Sequence, residues 1–148
     1  MQQQQLFIQP KIKIVDFRDE KMIPAEVSRF LNISSATVLN LKLNRIELSE
    51  RKHFFMERDV LGFVNQNYFP SLIVGSTSDK EITWKDRLLS TMDIVKIFKN
   101  ISYPTIVKYR NDRKLGYVKI TNFLYRFLES DVSDFINNSY KDLYSYED

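Results

Sequence analysis

Residues Phe55 to Tyr68 read FMERDVLGFVNQNY, and residues Phe127 to Tyr140 read FLESDVSDFINNSY. Seven of the fourteen positions are identical: Phe55/Phe127, Glu57/Glu129, Asp59/Asp131, Val60/Val132, Phe63/Phe135, Asn65/Asn137 and Tyr68/Tyr140. The likeness continues upstream in the same order. Ile33-Ser34-Ser35-Ala36-Thr37-Val38 aligns with Ile101-Ser102-Tyr103-Pro104-Thr105-Ile106, Phe30-Leu31 with Ile97-Phe98, and Glu26-Val27 with Asp93-Ile94. Matching blocks in one order, with spacing changes only where turns should fall, mark a duplicated supersecondary unit.

Each copy predicts the same local structure. Pro24 can open a helix, because a first-turn proline gives up only an N–H that has no helical partner. Val27, Phe30 and Leu31 then share one face, as do Ile94, Ile97 and Phe98. Ser34 and Ser102 are placed to cap a second helix. Val38 with Leu41, and Ile106 with Tyr109, give those helices a buried side. Gly116 to Ile120 and Phe123 to Leu128 alternate around Thr121-Asn122, which predicts a hairpin. A shorter hairpin is expected around Glu50-Arg51-Lys52. Asp59 and Asp131 are read as caps of a last helix, closed by Val60, Phe63 and Val64 or by Val132, Phe135 and Ile136. The expected fold class is α+β, mainly helical.

The chain has 148 residues, 43% hydrophobic and 28% charged, a globular balance. No apolar run approaches the ~20 residues that span a bilayer. Without cysteine there is neither a disulfide framework nor a thiolate zinc site. Met1-Gln2-Gln3-Gln4-Gln5 lacks the layout of a secretory signal, so a cytoplasmic protein is expected. The net charge is +3, unevenly spread. Lys96, Lys99, Lys108, Arg110, Arg113, Lys114, Lys119 and Arg126 are opposed only by Asp112, whereas residues after Phe127 are acidic. A positive block of this kind suits a polyanion. Nothing supports catalysis: His53 is the sole histidine, glycine occurs three times, and no metal or cofactor motif is present.

A helix followed by I-S-x-x-T-[VI], a basic exit, a hairpin, and an aromatic-x-x-x-D-V before a final helix resembles the excisionase and MerR-type winged helix-turn-helix family. Both copies carry it, in Ile33–Val38 with Phe55–Val60 and in Ile101–Ile106 with Phe127–Val132. The resemblance implies two tandem winged helix-turn-helix units, each with a small β-hairpin wing. It divides the chain into an N-terminal extension (1–20), unit one (21–69), a linker (70–88), unit two (89–142) and an acidic tail (143–148). Lys11–Phe17 alternates like a strand, and Ser76–Lys85 is the best linker stretch. The family usually has glycine after its second helix. Here Asn44-Arg45 and Asp112-Arg113 stand instead, and Asn or Asp tolerates the left-handed exit.

The same resemblance implies duplex DNA as partner, with the second helix of each unit in the major groove. In unit two, Ile106 and Tyr109 face inward and leave Tyr103, Pro104, Val107, Lys108 and Asn111 outward, with Ser102 and Thr105 offering hydroxyls to phosphate. Lys108 suits guanine and Asn111 adenine, while Arg110, Arg113, Lys114 and Lys119 suit phosphates. The equivalents in unit one are Ser34, Ser35, Ala36, Asn40, Lys42 and Arg45, with Lys52 in the wing. Glu47, Glu50 and Glu57 dilute that surface. The expected function is sequence-specific DNA binding, as a transcriptional regulator or a site-specific recombination accessory factor with a recombinase or other protein partner. Two alternatives stay open: a protein-interaction adaptor on the same fold, and a plasmid or phage segregation or architectural protein. A flexible linker of ~15 residues spans about 20 Å, so two half-sites about one helical turn apart are expected.

Overall fold

The computed structural model describes residues 15–73 and 81–144. The first half runs β1 (Lys21–Met22), α1 (Pro24–Leu31), α2 (Ser35–Asn40), β2 (Arg45–Ser49), β3 (Lys52–Met56) and α3 (Glu57–Gln66). After a short strand β4 (Tyr68–Phe69), the second half repeats that order: β5 (Leu88–Leu89), α4 (Thr91–Phe98), α5 (Tyr103–Asn111), β6 (Tyr117–Lys119), β7 (Tyr125–Leu128) and α6 (Glu129–Ser139). Among the described residues the fold is therefore α+β, with six helices and two small antiparallel sheets.

Strand register repeats with the sequence. Met22 pairs with Phe55 and Lys21 with Met56, just as Leu89 pairs with Phe127 and Leu88 with Leu128. Ile46 lies opposite Phe54, and Val118 opposite Arg126. Phe55 and Phe127, identical in the duplication, are both fully buried. The sheets differ at one edge. The first is ordered β1-β3-β2, whereas the second is β4-β6-β7-β5, with β4 added outside β6.

Helix starts follow local chemistry. Pro24 begins α1, and the Glu26 carboxylate accepts the Ile23 N–H at 3.0 Å. At the matching place before α4, Ser90 and Asp93 form a reciprocal pair: Asp93 N–H donates to the Ser90 hydroxyl and Ser90 N–H to the Asp93 carboxylate. Asn32 ends α1 in the left-handed region, with φ 57°.

Several sequence expectations need correction. Asp59 and Asp131 are not caps: α3 and α6 begin two residues earlier, at Glu57 and Glu129. The reason lies in the backbone, because Glu57 N–H donates to the Glu20 carbonyl and Glu129 N–H to the Arg87 carbonyl. A neighbouring main chain satisfies the first helical donor, so no side-chain cap is required. The left-handed residue after α5 is Arg113 (φ 57°) rather than Asp112, and Asn44-Arg45 has no positive φ. Ile97 and Ile136 are exposed, lying off the buried stripes formed by Thr91, Ile94 and Phe98 and by Val132 and Phe135.

The tether expectation also changes. Residues 11–14 and 76–80 lie outside the described residues, and Val15–Phe17 is not a strand. Residues 81–89 are packed rather than loose. Ile82 is buried, its N–H and carbonyl clasped by the Asn65 side-chain amide at 2.7 and 3.0 Å. Trp84 meets Phe30 edge-on, with ring centroids 4.3 Å apart. One apolar core contains Val27, Leu31, Val38 and Phe55 from the first half together with Leu88, Val118 and Leu128 from the second. Units of ~50 residues sit near the lower limit for a self-sufficient core; here the two halves share this cluster, and Leu89, Ile94, Ile106, Leu115, Phe127 and Val132 form a second one within the second half.

Candidate nucleic-acid interface

The second half presents the more cationic surface. Ile106 is fully buried and anchors α5 against Leu115, Phe127 and Val132. That anchoring leaves Tyr103, Pro104, Lys108 and Asn111 exposed on the outer side. Ser102 precedes the helix with its hydroxyl 2.9 Å from the Thr105 hydroxyl, but it takes no backbone N–H, so the expected cap is not made. Pro104 has no N–H, and Thr105 N–H already donates to the Ser102 carbonyl. Neither residue therefore offers a free main-chain donor outward.

The β6–β7 hairpin lies beside this helix. The Arg110 guanidinium sits 3.5 Å from the Tyr125 ring centroid, a cation–π interaction, and donates to the Asn111 side-chain oxygen at 3.3 Å. A cleft of about 110 Å³ opens between Tyr103 and the hairpin residues Phe123, Leu124 and Tyr125. Phe123, at the hairpin tip, is 90% exposed. Lys114 is exposed and Lys119 half-buried; neither they nor Lys108 form an ion pair among the described residues.

Arg113 does not join that surface. Its guanidinium donates twice to the Pro70 carbonyl, at 3.1 and 2.7 Å, and lies over the Phe69 ring. Arg45 is committed in the same way in the first half. It donates to the carbonyls of Leu39, Leu41 and Leu43 at the end of α2, over the Phe55 ring. Guanidinium groups held by main-chain carbonyls in this way are not free to reach phosphates. Arg126, counted in the positive block, is buried as well.

The first half offers less charge. Ser34 caps α2, accepting the Thr37 N–H at 3.1 Å. Ser35, Ala36, Asn40, Lys42 and Lys52 are exposed, but so are Glu47 and Glu50. His53, half-buried, has one ring nitrogen 2.8 Å from the Glu50 carbonyl oxygen. Among the described residues no group of three or more His, Cys, Asp and Glu is placed to hold a metal, and no helix is long and apolar enough to cross a membrane.

Sequence reasoning missed two polar contacts that hold the halves together. The Tyr68 hydroxyl donates to the Asp131 carboxylate, 2.9 and 2.8 Å from its two oxygens. Burial and the negative Asp131 push the Tyr68 hydroxyl well above its ordinary pKa, holding it neutral. Arg126 donates to the carbonyls of Leu31 and Asn32, closing the end of α1. The identity of Asp59 with Asp131 and of Tyr68 with Tyr140 is the one sequence signal that points toward the first contact. No protein-family model, curated protein or solved structure matches the chain.

Proposed function

We propose that the chain binds duplex DNA as two tandem winged helix-turn-helix units, with α5 in the major groove and the β6–β7 hairpin on the backbone beside it. The observation that carries this reading is the exposure of Lys108 and Asn111, three residues apart on α5, with Lys114 exposed just beyond the helix end and Arg110 set against the β6–β7 hairpin. Buried Ile106 fixes which side of α5 turns outward. Lys108 is the candidate for a base edge, and Lys114 and Lys119 for phosphates. Arg110 braces Asn111, which then offers its amide N–H donors to acceptors on a base. The first half, with Ser35, Asn40 and Lys42 exposed, adds a weaker second contact. Such a protein serves as a transcriptional regulator or an accessory factor in site-specific recombination.

The test is selection from a random duplex library, followed by mobility shifts at two salt concentrations. Selective binding that weakens steeply with salt, and is abolished in a Lys108→Glu plus Lys114→Glu variant that still folds, supports the reading. Equal binding by that variant, or no binding to any duplex, overturns it.

A further inference from the structure

The two halves are joined by strand addition. Immediately after α3, β4 pairs with the outer edge of β6, Tyr68 opposite Val118 and Phe69 opposite Tyr117. Lys119 N–H donates to the Asn67 carbonyl at 3.0 Å, and Leu72 N–H to the Arg113 carbonyl at 2.8 Å. The Tyr68 hydroxyl locks the joint onto Asp131, the third residue of α6.

The duplication supplies both sides of this joint a second time. Tyr140 follows α6 as Tyr68 follows α3, and Tyr140, Leu143 and Tyr144 are 73%, 81% and 80% exposed. On the receiving side, β2 corresponds to β6. The registers on Phe54 and Arg126 place Ile46 at the position of Val118 and Glu47 at that of Lys119. The outer edge of β2 has no strand partner among the described residues. Asp59 corresponds to Asp131 and lines a cavity of about 410 Å³ with Leu43, Asn44, Phe63 and Gln66. In the second half the matching space is closed: a Cβ on Gly116, the counterpart of Asn44, would lie 2.9 Å from Asp131 and 3.1 Å from the Ser71 nitrogen.

We propose that residues Tyr140–Tyr144 of one copy add as a strand to the outer edge of β2 in a second copy, with the Tyr140 hydroxyl on Asp59. Main-chain hydrogen bonds supply the attraction, as in other strand additions to an open sheet edge. The contact uses a different surface on each partner. It is therefore heterologous, and copies link head to tail into an open string unless the rotation closes a ring. The joint is weaker than the one inside the chain. Phe69 and Tyr117 stack at 5.0 Å, whereas their counterparts, Lys141 and Arg45, are both cations, and Asn44 narrows the place held by Gly116. Assembly is consequently reversible and depends on concentration, and it does not require DNA.

Sedimentation velocity on the full chain, from low to high micromolar concentration without DNA, tests this. The weight-average mass should rise with concentration. Removing residues 140–148 destroys the donor segment. Glu47→Pro destroys the receiving edge by deleting the N–H that corresponds to the one Lys119 gives the Asn67 carbonyl. Each variant alone should stay monomeric. Their mixture should form a heterodimer and nothing larger, because one intact surface survives on each. If circular dichroism shows that Glu47→Pro does not fold, Asp59→Ala is measured instead; it removes only the partner of the Tyr140 hydroxyl, so it should move assembly to several-fold higher concentration, and an unchanged concentration dependence overturns the proposal. A wild-type chain that is monomeric throughout, assembly that survives the truncation, or a mixture without heterodimer overturns the proposal.

Discussion

The Arg126 guanidinium, on β7, donates to the main-chain carbonyl of Asn32, 94 residues earlier, through two nitrogens at 3.0 and 2.6 Å. It also reaches the Leu31 carbonyl at 3.1 Å and that of Tyr125 at 2.7 Å. Carbonyl oxygens at the end of α1 thus compensate a buried positive charge, helped by the negative end of the helix dipole. Asn32 answers from its side chain, donating to the Leu88 carbonyl and to the Asp93 carboxylate. The second half closes the first half's helix.

Removing that guanidinium takes its donors away from the buried Leu31 carbonyl and the partly buried Asn32 carbonyl. Arg126→Ala is expected to cost about 2–4 kcal/mol, the range for breaking buried charge-assisted hydrogen bonds and leaving partners unsatisfied. Urea denaturation followed by circular dichroism reads the change directly. Because the contact spans the halves, the single wild-type transition should broaden or split in the variant. A decrease of under about half a kcal/mol with an unchanged slope would show that the shared apolar core alone couples them.

The Tyr68–Asp131 bond gives an alkaline dependence with a definite sign. The folded protein holds the Tyr68 hydroxyl neutral above the ordinary tyrosine pKa of 10.0, chiefly by burial and secondly through Asp131. An unfolded tyrosine ionises at the ordinary value. The contribution is therefore fully present below about pH 10 and diminishes progressively as the pH rises above it. Tyr68→Phe should lower stability at pH 7 by about 1–2 kcal/mol and should flatten the fall between about pH 9 and 11. Urea midpoints of both proteins across that interval provide the measurement. Parallel curves would refute the assignment.

How much of this is legible in the sequence depends on whether a residue's role is local. The duplication, the cap at Ser34 and the Pro24 start all follow from period and spacing, which one segment encodes by itself. The helices after Phe55 and Phe127 follow from the same spacing, but the cap role expected of Asp59 and Asp131 does not hold. The donors such caps would serve are met instead by the Glu20 and Arg87 carbonyls, which arrive from distant chain. Arg45, Arg113 and Arg126 read as part of a cationic surface because charge can be counted in a sequence, while the carbonyls that sequester it cannot. The remaining candidates on α5, Lys108 and Asn111, are exposed because Ile106 sets the rotation of that helix.

The separation between surface lysines and committed arginines can be tested on selected DNA. Lys114→Ala should weaken binding and lower the slope of log affinity against log salt by about 1, as for one phosphate no longer neutralised, whereas Lys108→Ala should weaken binding and relax selectivity at one base pair. Thermal stability should hardly change. Arg113→Ala, which removes both bonds to the Pro70 carbonyl, should do the reverse: lower the melting temperature while leaving the salt slope of the folded fraction unaltered. Titrations at three salt concentrations, paired with thermal melts, separate the two behaviours. A reduced slope in Arg113→Ala would return that residue to the interface.

On the proposed DNA-binding reading, the shared core would also constrain the spacing of the two contacted segments. A flexible tether would let α2 and α5 follow half-sites moved apart, because a random coil spans a range of end-to-end distances at little cost. Here Ile82 is clasped by Asn65, Trp84 packs on Phe30, and Arg126 closes α1, so α2 and α5 are held in one arrangement. Once a preferred duplex is selected, inserting five base pairs between its two contacted segments should abolish the contribution of the first half. Inserting a full turn of about ten should not restore it. The expected fall in affinity is about 100-fold in either case, the lower end of what a second tethered contact contributes. Recovery on the full-turn insertion would mean that the halves separate on DNA, and the Arg126–Asn32 contact would have to open for that to happen.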